Sequence, residues 1–246
     1  MTDGGGGTAG APEIPGGPRD SGDSEGSGDS GHSGNAVNSR GPGGRTRTVT
    51  TWFLEQTSPA DLRTARMPDE ASGIRIARAQ LPSPEFSRFL YTAVGADVAW
   101  TDRLPWTYLE WREFLERPGV ETWVAYERDT PAGFIELDGS RSESAVEISY
   151  FGLLPAFRGR RIGGHLLAYG TARAWDLSGR WPRRPPTDRV WLHTCSKDGP
   201  YALANYKRRG FRVYDTEVAR EPYAPASGPW PGAHDEHERI GAQRQL

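Results

Sequence analysis

Three runs rich in β-branched and aromatic residues, Glu121 to Glu127, Ala132 to Asp138 and Ala145 to Leu154, follow one another with only short polar stretches between them. Runs of that length joined by turns that short make an antiparallel meander. The third run ends at Pro155, and after a loop dense in Arg and Gly a helical pattern begins near Ile162. It continues through Leu166, Leu167, Tyr169, Ala172, Ala174 and Trp175 to Ser178. Beyond it, Arg189 to Thr194 reads as a strand, Tyr201 to Arg208 as a short helix stopped by Gly210, and Phe211 to Glu217 as a last strand. Strands followed by strand, helix, strand, helix and strand define a mixed α/β arrangement.

Upstream of the meander the pattern is sparser. Thr48 to Gln56 is a β-branched and aromatic run that reads as a strand, and Ser58 with Pro59 offers a cap from which a helix begins at Asp61. Ile74 to Ala79 is a second short strand or sheet edge. Phe86, Phe89, Leu90 and Val94 recur at helical spacing, and Trp106 to Leu115 does so again, which predicts two helices joined by a Trp-rich loop. No internal repeat is present, which excludes solenoids and propellers.

Composition bounds how much of the 246 residues folds. Residues 1–45 are almost entirely Gly, Ser, Asp, Asn and Pro, too poor in apolar surface to offset the entropy of ordering them, and are expected to be a disordered tail. Residues 221–246 have the same character and are expected to be a flexible tail. One domain over 46–220 remains. A net charge of -2 gives no reason to expect nucleic acid or an anionic membrane as partner. The N-terminus lacks the features of a secretory signal, and no apolar run reaches the length of a membrane span, so a soluble, cytoplasmic protein is expected. The single cysteine, Cys195, excludes an internal disulfide. His234, Asp235 and His237 lie in the polar tail without further ligands, and no metal is expected.

The chemistry concentrates in the loop Pro155-Ala-Phe-Arg-Gly-Arg-Arg-Ile-Gly-Gly164. Glycines let a backbone approach a ligand closely, and successive N–H groups at a helix start form an anion site reinforced by the helix dipole. A tight turn into the helix is the other reading of the same glycines. Arg158-Gly159-Arg160-Arg161-Ile162-Gly163 resembles the coenzyme A pyrophosphate loop of the Gcn5-related N-acetyltransferase (GNAT) family, usually written [R/Q]-x-x-G-x-[G/A]. Arg161 stands where that family prefers its first glycine. Phe151-Gly-Leu-Leu-Pro155 resembles the family's strand-and-proline lead-in, and Tyr206-x-x-x-Gly210-Phe211 its later helix and strand.

The resemblance implies an α/β (α+β mixed sheet) fold, a central, mostly antiparallel twisted sheet flanked by helices. It implies acetyl-CoA as co-substrate, held by Phe151, Leu153, Leu154, Arg158, Gly159, Arg160, Arg161, Ile162, Gly163 and Gly164. It also implies Tyr206 as the proton donor to the departing thiolate.

An amine attacking a thioester needs juxtaposition, a proton acceptor, a polarised carbonyl and a protonated leaving group. Glu147 and Glu136 are candidate bases, each within a predicted strand near the cofactor, and His193 is a third. Alternation puts Glu147, Ser149 and Phe151 on one strand face, with Ile148 and Tyr150 on the other. Trp100, Trp106, Tyr108 and Trp111 are candidates for binding an apolar or cationic acceptor, with core packing as the alternative. The expectation is an N-acetyltransferase acting on a small-molecule or protein amine by direct attack in a ternary complex, as monomer or homodimer. The alternative is a non-catalytic acyl-CoA-binding sensor or scaffold.

Overall fold

The computed structural model describes residues 46–66, 68, 73–98 and 100–222. The tail expected over 1–45 lies outside the described residues, as does the one expected over 221–246 except for Glu221 and Pro222, which the structure instead places in the last strand, paired with Arg47 and Thr46. The described chain is made of β1 (Thr46–Gln56), β2 (Ile74–Arg78), α1 (Pro84–Gly95), α2 (Tyr108–Leu115), β3 (Val120–Glu127), β4 (Thr130–Asp138), β5 (Ala145–Leu153), α3 (Ile162–Trp175), β6 (Arg189–Cys195), α4 (Ala202–Arg208) and β7 (Arg212–Pro222).

The strands form one seven-stranded sheet in the order β2-β3-β4-β5-β6-β1-β7. Every neighbouring pair is antiparallel except β5 and β6. The predicted meander is β3, β4 and β5. β1, the earliest of the described strands, inserts between β6 and β7.

Local sequence explains where the helices start. Ser83 caps α1 by accepting from the Phe86 N–H at 3.2 Å, with Pro84 in the first turn. Thr107 and Glu110 form a capping box on α2: the Thr107 hydroxyl accepts from the Glu110 N–H, and the Glu110 carboxylate accepts from the Thr107 N–H at 2.6 Å. The expected helix from Asp61 is a single tight turn, Pro59–Asp61. Asp61 spends its carboxylate on the N–H groups of Thr57 and Ser58, and the chain then turns away as the Arg63 N–H donates to the Arg209 carbonyl. No apolar stripe follows that would hold a longer helix in place.

The sheet is covered on both faces. On one, α3 buries Ile162, Leu166 and Leu167 against Ile135, Leu137, Ile148 and Leu192. On the other, α1 packs Leu90 and Val94 on Val124 and Phe134. Each fully buried Leu or Ile contributes about 1.5–3 kcal/mol relative to exposure, so these two layers fix the sheet between them.

β5 departs from simple alternation. Leu137 pairs with Ile148 but Glu136 pairs with Tyr150, leaving Ser149 as a bulge. The extra residue flips the strand's phase. Ile148 and Phe151 therefore both pack with the α3 layer, while Tyr150 packs with the α1 layer. The expected grouping of Glu147 with Phe151 is corrected: Glu147 lies on the Tyr150 side.

Candidate active site

β5 and β6 pair only from Ala145 and Arg189 to Glu147 and Trp191. Beyond that point β5 continues against β4 to Leu153, β6 continues against β1 to Cys195, and the two strands part. The parted segment of β5 keeps backbone groups that no strand on the β6 side satisfies. A cavity of about 560 Å³, within the usual range for small-molecule sites, opens here.

Phe151, Gly152 and Leu153 of β5 form one wall of the cavity. Arg158, Gly159, Arg161, Gly163 and Gly164 form a second, from the loop and the first turn of α3. The third wall comes from Asp198, Gly199, Pro200, Tyr201, Ala202, Asn205, Tyr206 and Arg208, and Val94 and Val98 close the end nearest α1.

The α3 wall is built to face an anion. Arg161 is the N-cap residue, at φ 66, and no side chain caps the helix. The first-turn N–H groups of a 14-residue helix are thus left for a ligand, where the helix dipole favours negative charge. The left-handed φ explains why glycine is preferred at this position in the resembling loop. An arginine there costs on the order of 1 kcal/mol, yet adopts the same turn.

The loop arginines divide by partner. Arg158 donates from Nε to the Leu153 carbonyl at 3.0 Å and pairs with Asp97 at 2.6 Å, tying the loop to the end of α1. Arg160 is paired with Glu127. Arg161 and Arg208 border the cavity from opposite walls and have no ion-pair partner among the described residues.

Most of the residues expected around the donor line this cavity, but three do not. Ile162 is 1 % exposed in the α3 core, Leu154 packs into the α1 layer, and Arg160 is turned to Glu127. Sequence reasoning missed Tyr201, Asn205 and Arg208. Their spacing of four and then three residues puts them on one face of α4, a signal that helical periodicity carries.

Tyr206 lies on the cavity wall. Its ring packs edge-on to Phe151 and Phe211 at centroid distances of 6.0 and 6.3 Å, and its hydroxyl has no hydrogen-bond partner among the described residues. Burial, with Asp198 adding to it, pushes the phenol above its ordinary value, so it remains protonated at neutral pH.

The other candidates lie on the opposite sheet face. Glu136 is 2 % exposed and ion-paired with Arg103 at 2.9 Å, which removes it from contact with a substrate. The Arg103 guanidinium lies 4.2 Å from the Phe114 ring centroid, 4.4 Å from Tyr150 and 4.6 Å from Trp106. The aromatic cluster expected to receive a cationic acceptor is thus filled by a cation of the chain itself. Trp111 is buried within that cluster, Trp106 packs on it at 5.2 Å, and Trp100 packs on Tyr150 at 4.8 Å. Tyr108 is exposed on α2. Glu147 is raised above the ordinary carboxylate range, chiefly by burial, and its carboxylate is 3.8 Å from Nδ1 of His193.

A mostly antiparallel sheet that parts beside an open helix N-terminus, with a buried tyrosine across the gap, defines an acyl-transfer fold. Residues 80–211 match the Acetyltransferase (GNAT) family, and the chain belongs to that family. Members are generally acetyltransferases that bind acetyl-CoA. Among solved structures, the chain is similar to a GCN5-related N-acetyltransferase from Kribbella flavida at 19% identity and TM-score 0.50, covering 77% of this chain and 62% of that one. It is also similar to a GCN5-related N-acetyltransferase from Sphaerobacter thermophilus at 18% identity and TM-score 0.49, covering 74% of this chain and 55% of that one. The chain thus spans less than two thirds of either protein. No curated protein matches it.

Among the described residues, no group of three or more His, Cys, Asp or Glu is placed to hold a metal ion, and no helix is long and apolar enough to cross a membrane. The His234, Asp235 and His237 cluster lies outside them.

Proposed function

We propose that this protein transfers an acetyl group from acetyl-CoA to a primary amine of a small molecule or a protein. The observation that carries this reading is the cavity where β5 and β6 part, bordered by the uncapped start of α3 on one side and by the free hydroxyl of Tyr206 on another. The N–H groups of the first turn of α3 and the unpaired Arg161 and Arg208 suit the phosphates of the donor. The β6-side edge of β5 beyond Glu147, which no described strand pairs, suits the amide-bearing arm. Gly163, whose missing side chain would lie 3.4 Å from Leu153, keeps the passage between them open.

Tyr206 is the proton donor to the leaving sulfur in this reading, since its phenol is protonated and commits its hydrogen to no acceptor among the described residues. A hydroxyl left free in an apolar wall favours turnover over a purely binding module, which has no use for it. Calorimetric titration with acetyl-CoA and with free coenzyme A tests the donor site, and thiol release in the presence of amines tests the transfer. Micromolar binding of both followed by amine-dependent thiol release is expected. Absence of binding would reduce the Arg/Gly loop to an ordinary turn.

A further inference from the structure

The fork between β5 and β6 has a second occupied face, and the group most exposed on it is His193. Trp191 is the last β6 residue paired with β5, and His193 follows two positions later on the same strand face, beside Glu147. The imidazole is half exposed, with Nδ1 directed to the Glu147 carboxylate at 3.8 Å. It makes no hydrogen bond among the described residues, which leaves Nε2 free at the surface of the fork.

We infer that His193, backed by Glu147, accepts the proton of the attacking amine. This inference rests on the acyl-transfer reading above. Glu147 itself is sunk in the strand, its side chain 9% exposed, and Glu136 is held by Arg103, so neither carboxylate meets an incoming amine as His193 does. A carboxylate on the Nδ1 side favours the tautomer protonated there and leaves the Nε2 lone pair directed outward. It also steadies the imidazolium once the proton has arrived.

The groups around His193 agree with this role. Phe53 of β1 packs against the ring at 6.1 Å, and Phe53 is itself packed by Tyr214 of β7. Asp102, from the segment after α1, and Asp198, from the turn after β6, act on the ring through space. Burial outweighs these charges and holds the imidazole below its ordinary value, so it is neutral, and able to take a proton, at neutral pH.

The step balances with an acyl thioester and an amine as the reactants. The amine nitrogen bonds to the thioester carbon, its N–H proton passes to Nε2 of His193, the C–S bond breaks, and the leaving sulfur takes a proton from Tyr206. The exposed imidazolium returns its proton to solvent, and the Tyr206 phenolate regains one.

The test combines two measurements on the full chain. Nitrogen NMR of the imidazoles reads the tautomer and titration of His193 without any ligand. The expected result is a neutral ring at pH 7 protonated on Nδ1, and a ring charged at pH 7 or protonated on Nε2 would overturn the inference. The second uses acetyl-CoA with spermidine and with phenethylamine as acceptor probes. His193→Gln is expected to lower kcat about 100-fold, to remove from the kcat profile the step at the His193 titration point read by NMR, and to leave coenzyme A affinity unchanged. Added imidazole is expected to restore part of the rate in His193→Ala. An unchanged kcat, or a kcat profile that keeps that step in His193→Gln, sinks the inference, whereas absence of coenzyme A binding by the unaltered protein sinks the acyl-transfer reading instead.

Discussion

Arg103 and Glu136 form an ion pair of 2.9 Å in which neither side chain is more than 5% exposed. Burial drives the Glu136 carboxyl above the ordinary carboxylate range, and the Arg103 charge pulls against it. Removing one member strands the other as a buried charge, which costs about 3–5 kcal/mol, whereas replacing both with apolar groups of similar volume is close to neutral. Arg103→Met is therefore expected to lose about that much stability in urea denaturation, and Arg103→Met with Glu136→Leu to recover most of it. Equal losses in the single and double variants would show that the pair is not coupled.

Tyr206→Phe removes a hydroxyl that no other described residue uses and leaves the ring contacts with Phe151 and Phe211 intact. The expected outcome is a fall in kcat of about 100-fold with coenzyme A affinity unchanged, followed by thiol release and calorimetry. A kcat within about twofold of the unaltered protein would remove Tyr206 from the chemistry.

Gly163 separates size from fold. A Cβ there meets Leu153 at 3.4 Å, ordinary contact, so Gly163→Ala is expected to bind coenzyme A nearly as well as the unaltered protein. A larger group projects into the passage, and Gly163→Phe is expected to weaken binding at least about tenfold, or about 1.4 kcal/mol. Thermal melting serves as the control for folding.

The pH dependence of stability has a readable sign at His165. Burial holds its imidazole below the ordinary histidine value. Between that depressed value and the unfolded value of about 6.5, the unfolded chain binds a proton that the folded chain does not, so this residue makes the protein less stable as pH falls. Glu136 and Glu147, raised by burial, act in the opposite direction over their own range. Comparing the unaltered protein with His165→Asn isolates the histidine. The variant is expected to gain stability relative to the parent between about pH 7.5 and 5.5 in denaturant titrations, and a constant difference would contradict the assignment.

Gly210 holds φ at +94, and a Cβ there would collide with the Asp61 carbonyl. Gly210→Ala is expected to cost roughly 3 kcal/mol because strain and collision add, measured by the shift in denaturation midpoint.

The elements were legible in the sequence where one local signal dominated. The helical spacing of Phe86, Phe89, Leu90 and Val94 and the pattern over Trp106 to Leu115 foretold α1 and α2, and the meander followed from strand runs separated by short turns. The bulge at Ser149 was not legible, because it is set by how β5 must bend against β4 and no residue type demands it there. The occupation of the tryptophan cluster by Arg103 was hidden for a similar reason. Aromatic spacing predicts a surface that attracts a cation, and only the folded chain shows which cation arrives. The β-branched and aromatic run from Thr48 to Gln56 foretold β1 as a strand but gave no sign that it would lie between β6 and β7.

That placement bears on how the protein is made. Thr51 meets Cys195 and Thr46 meets Pro222, so β1 leaves the ribosome long before either of its neighbours exists. Contacts this distant along the chain close slowly, and until they close a β-prone segment stays unpaired. The nascent polypeptide is thus most open to chaperones, and to aggregation, until β7 has been synthesised.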